Sequence, residues 1–77
     1  MINSRRNAKP TALDIFWARC HARAHLYSVG YIDLHDAVDV LQEHAERHGV
    51  LAAIGQDAVQ AIIAAAFRRA LAKRTAA

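Results

Sequence analysis

The 77-residue chain carries 10 Lys and Arg against 7 Asp and Glu, a formal net charge of +3, with 55% hydrophobic and 22% charged residues. That length holds one domain with one core, and the composition excludes a disordered chain. A single cysteine, Cys20, excludes an internal disulfide. No charged-then-apolar leader opens the chain and no apolar run approaches the ~20 residues of a bilayer-crossing helix. The expectation is a cytoplasmic protein kept in a reducing compartment.

The net charge conceals a basic–acidic–basic order. Arg5, Arg6, Lys9, Arg19 and Arg23 stand against Asp14 in residues 1–30. Asp33, Asp36, Asp39, Glu43, Glu46 and Asp57 stand against Arg47 in residues 31–57, and Arg68, Arg69, Lys73 and Arg74 are unopposed in residues 58–77. The surface should be dipolar, which weakens any case for nucleic acid made from net charge alone.

Residues 1–10 are polar and basic without a period, and are expected to form a flexible arm. Residues 11–74 are expected to be one helical domain. Thr11 and Asp14 have the spacing of a capping box. Leu13, Phe16, Trp17, Cys20, Ala24 and Tyr27 then recur at helical spacing as the stripe expected to be buried. Gly30 is a natural left-handed stop, with Leu26 and Tyr31 placed for a closing apolar contact, so the first helix is set at about 12–29.

Asp33 caps a second helix over about 34–48, whose apolar face is Leu34, Ala37, Val38, Leu41, Ala45 and the edge residue His48. Gly49 ends it, and Val50–Ile54 is a short apolar connector with room for one helical turn. Gly55 starts the third helix, about 56–73, with Ile54 and Val59 as a hydrophobic staple. This last helix is the most apolar stretch of the chain, and only Gln60 is polar between Ala58 and Phe67. Val59, Ile62, Ile63, Ala66, Phe67, Ala70 and Leu71 form its core stripe. The side bearing Ala61, Ala64 and Ala65 exceeds what two shorter helices can cover, and is where a second copy could pack. The fold expected is all-α, a compact three-helix bundle with an extra turn at 50–54.

Chemistry-bearing patterns are sparse. His21 with His25, and His44 with His48, are spaced four apart as in helical zinc sites, but neither pair is accompanied by further ligands in a zinc pattern. Cys20 and His21, adjacent on a helix, diverge by ~100° and cannot act as nucleophile and base. No glycine-rich phosphate loop occurs. No catalytic residue, metal site or cofactor is expected. Asp36, Asp39, Glu43 and Glu46 fall three, four and three apart on one ridge, which is either a solvated face or a docking surface for a basic partner. Tyr31, in a link, is either a partner anchor or a local packing residue. These five residues are the candidate partner-binding set.

Ile15-Phe16-Trp17-Ala18-Arg19, Leu34-His35-Asp36-Ala37-Val38-Asp39 with Leu41-Gln42, and Ile54-Gly55-Gln56-Asp57 with Val59-Gln60 together resemble the QseM-type antiactivators of rhizobial integrative and conjugative elements, over about residues 12–71. The resemblance implies a small helical protein that binds transcriptional activators with helix-turn-helix-like domains and keeps element transfer off, in a quorum-sensing circuit. The competing expectation is a small DNA-binding regulator using the third helix or the basic ends. The acidic ridge repels phosphate, and the early turns of the third helix present Ala and Val where base-reading side chains belong. Direct nucleic-acid binding is therefore disfavoured. A toxin–antitoxin or structural subunit is a third reading.

Overall fold

The computed structural model describes the backbone of residues 9–76 and the side chains of residues 9–73. Residues 1–8 of the expected arm and the Arg74 side chain lie outside the described residues. The chain forms α1 (Ala12–Ser28), α2 (Leu34–Arg47), α3 (Val50–Ile54) and α4 (Gln56–Ala76), with no strand among the described residues. The all-α bundle expected from the sequence is the fold found. The extra turn is a five-residue helix, α3, and α4 runs three residues beyond the expected end.

The helix ends follow from side-chain and glycine chemistry. Thr11 Oγ1 accepts the Asp14 N–H at 3.1 Å and the Asp14 carboxylate accepts the Thr11 N–H at 3.0 Å. Two otherwise orphaned donors are thus satisfied reciprocally. At the other end of α1, Tyr31 N–H donates to the Leu26 carbonyl at 2.9 Å and Gly30 N–H to that of Tyr27 at 3.1 Å. Gly30 has φ +89°, the left-handed conformation that this double closure requires and that a Cβ disfavours. The expected closing contact by Tyr31 does not form, because its side chain is 78% exposed. Its neighbour Ile32 packs on the core instead, which turns the tyrosine outward.

Asp33 Oδ1 accepts the Asp36 N–H at 2.9 Å and starts α2. Gly55, at φ +88°, joins two helices at once. Its N–H closes α3 on the Leu51 carbonyl, and its carbonyl accepts the Val59 N–H in the first turn of α4. The side-chain amides of Gln42 and Gln56 exchange hydrogen bonds at 2.9 and 3.1 Å, tying the middle of α2 to the start of α4.

The core is built from rows of every fourth residue. Phe16, Cys20, Ala24 and Ser28 are the buried row of α1, and Ala37, Leu41 and Ala45 that of α2. Val59, Ile63 and Phe67, with Ala66, form that of α4, and Val50 fills in from α3. Such rows are the ridges along which helices interlock. Four of the eleven buried apolar residues are alanine, so the backbones can approach closely. The buried Ser28 hydroxyl is satisfied by the His25 carbonyl at 2.8 Å, and the Tyr27 and Phe67 rings meet at 5.6 Å.

Four residues expected on the buried stripes lie outside them. Trp17 is 51% exposed, Leu34 is 48% exposed, and Leu13 and Leu71 are exposed too. His48, set at the edge of the second stripe, is also exposed. Leu13 and Leu34 occupy first turns, and Leu71 lies near the far end of α4. Trp17 sits ~100° around the helix from Phe16, at the edge of the buried row and on the wall of an open groove rather than inside the core. Phe16→Ala should therefore cost about 3–5 kcal/mol in urea unfolding followed by helical circular dichroism. Trp17→Ala should cost roughly half of that or less; an equal loss would return Trp17 to the core.

Candidate partner-binding surface

The acidic ridge is found on α2 as spaced in the sequence. Asp36, Asp39, Glu43 and Glu46 are all exposed and lie on the side of the helix away from the buried Ala37–Leu41–Ala45 row. Asp36 stands in the first turn, where the helix dipole favours a carboxylate. Glu43 pairs with Arg47 one turn on, at 2.6 Å, with both side chains largely in solvent. A pair so exposed contributes little to stability and leaves both groups free to re-pair with a partner. The remaining three carboxylates have no ion pair among the described residues.

Tyr31 and Leu34 flank the first turn of the same helix and are both exposed. An apolar groove of about 260 Å³ runs between α2 and α4, with Leu34 and Val38 on one wall and Ile63, Ala64 and Phe67 on the other. The sequence reading placed Ala64 on an uncovered side of α4 but did not find this groove. Its signal was present in the four-residue spacing of Leu34, Val38 and Gln42 facing the four-and-three spacing of Gln60, Ala64 and Phe67. Ala61 and Ala64 are exposed and Ala65 is partly so, as expected for that side.

Three of the four paired histidines, His21, His44 and His48, lie against other rings. His21 lies against Trp17, ring centroids 3.9 Å apart. His44 lies between Phe16 at 6.0 Å and His48 at 4.3 Å. Among the described residues no three His, Cys, Asp or Glu side chains come together as a metal site would require. A second groove, of about 610 Å³, separates α1 from α4. Trp17, His21 and His25 line one side and Arg69 and Lys73 the other, over a floor that includes Ala66 and Ala70. The sequence takes these residues separately, as a tryptophan on the stripe expected to be buried, a histidine pair and unopposed cations. No helix among the described residues is long and apolar enough to cross a membrane.

One buried group, Cys20, and one half-buried group, His44, have perturbed protonation. Burial pushes the Cys20 thiol up to about 12, so at neutral pH it is a thiol packed as a small hydrophobe. It should react with a thiol reagent only as fast as the chain unfolds; prompt modification of the native protein would show it to be reachable. His44 Nε2 is buried without a hydrogen-bond partner among the described residues. Burial first, and then the charges of His48, Arg19 and Arg47, hold its imidazole below the ordinary value of 6.5. The folded chain therefore keeps His44 neutral, while the unfolded chain protonates it more readily. Its contribution is complete above pH 6.5 and is lost as pH falls from there through the folded value. Acidification from about pH 7.5 to about pH 5 should lower the melting temperature of the wild type more than that of His44→Gln. Parallel melting curves would disprove this.

Comparison with protein-family models, with curated proteins and with solved structures finds no match, so the functional reading rests on the residues themselves.

Proposed function

We propose that this chain is a non-enzymatic regulatory protein that holds a transcriptional activator inactive by gripping the basic surface of its helix-turn-helix-like domain. The observation that carries the reading is the outward side of α2. Four exposed carboxylates there, Asp36, Asp39, Glu43 and Glu46, line a ridge ending beside the exposed Tyr31 and Leu34. The ridge rises ~15 Å along the helix. Surfaces that bind DNA are cationic because they neutralise phosphates, and a row of carboxylates presents the same sign of charge to them. Tyr31 supplies the aromatic anchor that such interfaces use for affinity, while the carboxylates supply on-rate and orientation.

The same ridge repels phosphate, so direct DNA binding is not part of this reading. The resemblance to QseM-type antiactivators supports it from the residue pattern, including its setting in the cytoplasm and its link to conjugative transfer and quorum sensing. The alanine side of α4, with Ala61 and Ala64 exposed, suits a homodimer that leaves the ridge of each copy available.

The test is calorimetric titration of a purified activator domain at low and high salt. Asp39→Lys should weaken the complex about tenfold at low salt and less at high salt. Tyr31→Ala should weaken it by about 1–2 kcal/mol at both. Neither position is buried, so both variants should melt close to the wild type. Unchanged affinity in both would remove the α2 surface as the interface. A DNA mobility shift that falls steeply with salt would move the function to the cations of α4.

A further inference from the structure

We propose that the groove between α1 and α4 is a binding site for a small aromatic anion, a planar ring bearing a phosphate or carboxylate. This site lies away from the acidic side of α2 and does not depend on the activator-binding reading. Its chemistry has two parts that a single ligand can satisfy together.

The first part is a ring platform. Trp17 is half out of the core, with 51% of its surface exposed, and lines the groove. His21 lies against the indole at 3.9 Å between centroids, tilted by 45°. That contact holds the indole on the groove wall, and its exposed surface can receive another ring; aromatic pairs of this kind contribute ~0.5–1.5 kcal/mol beyond the area they bury.

The second part is charge. Arg69 and Lys73 line the opposite wall one helical turn apart, both exposed and neither in an ion pair among the described residues. His25 adds a ring N–H donor on the α1 side, and among the described residues no carboxylate lines the groove. A guanidinium fork beside an ammonium suits a carboxylate or phosphate. The floor is small and apolar at Ala66 and Ala70, which leaves depth for a ring.

The groove measures about 610 Å³, within the ~300–1,000 Å³ of small-molecule sites, so a mononucleotide or aryl acid fits inside.

The chain has one tryptophan, so its single indole N–H signal in a proton–nitrogen correlation spectrum reports on the groove. The probes are adenosine monophosphate and 4-hydroxybenzoate, with adenosine and inorganic phosphate as the separate halves of the first. At least one whole probe should shift the Trp17 signal saturably, and for adenosine monophosphate each half should bind roughly tenfold more weakly or worse. The Arg69→Ala/Lys73→Ala double variant, altered only at exposed positions, should keep the wild-type melting curve and lose roughly tenfold in affinity. Asp39→Lys should bind the probe as the wild type does.

Failure of both probes to move the Trp17 signal would overturn the proposal. So would adenosine binding as well as its monophosphate in the absence of aryl-acid binding, or an unchanged affinity in the double variant. A single-stranded oligonucleotide that binds far more tightly than the mononucleotide, with a steep salt dependence, would replace the small ligand with nucleic acid.

Discussion

The structure depends on the close approach of three helices through rows of small residues. Ala24, Ala37, Ala45 and Ala66 are fully buried, with Cys20 beside them. Each contributes little apolar area by itself, and a chain of this length has little area to spare. What they provide is proximity. With the backbones close, the few large side chains inside, Phe16, Leu41, Val50, Val59, Ile63 and Phe67, form one cluster. The core is narrow, and three large residues lie outside it: Trp17 at the edge of its row, Leu34 in a first turn, and Tyr31 because Ile32 packs in its place. They are exposed and available for recognition.

The charge asymmetry acquires a spatial meaning from the same packing. The acidic segment becomes the outer side of α2, and the basic C-terminal segment becomes one wall of the groove between α1 and α4. The two surfaces are separated because α2 turns its buried row towards α1 and α4, and so presents its carboxylates away from them. A chain with modest net charge thus has one surface suited to a basic macromolecule and another suited to an anion. Opposite charges kept apart in this way do not neutralise one another within the molecule.

Much of the fold was legible locally. Thr11 with Asp14, Asp33, Gly30 and Gly55 are read correctly as start and stop signals because caps depend on residues within five positions of one another. The acidic ridge was legible for the same reason, since helix spacing places Asp36, Asp39, Glu43 and Glu46 on one side whatever the neighbours do. Trp17 was misplaced, because a 3.6-residue period marks a broad apolar stripe and cannot tell its centre from its edge. Only the size of the residues across the interface, Ala37, Ala45 and Ala66, decides how wide a stripe is covered. Tyr31 was ambiguous because one backbone closure permits either Tyr31 or Ile32 to turn inward.

The sequence by itself determined the all-helical class, the element order and the carboxylate ridge, because each follows from covalent spacing and short-range hydrogen bonding. Tertiary structure decided what lies between helices: that Gln42 clasps Gln56, and that Arg69 and Lys73 face the histidine side of α1 across a groove. Those pairings join residues far apart in the chain. Their geometry is set by which ridges interlock and how closely, and no periodicity within a single helix contains that distance.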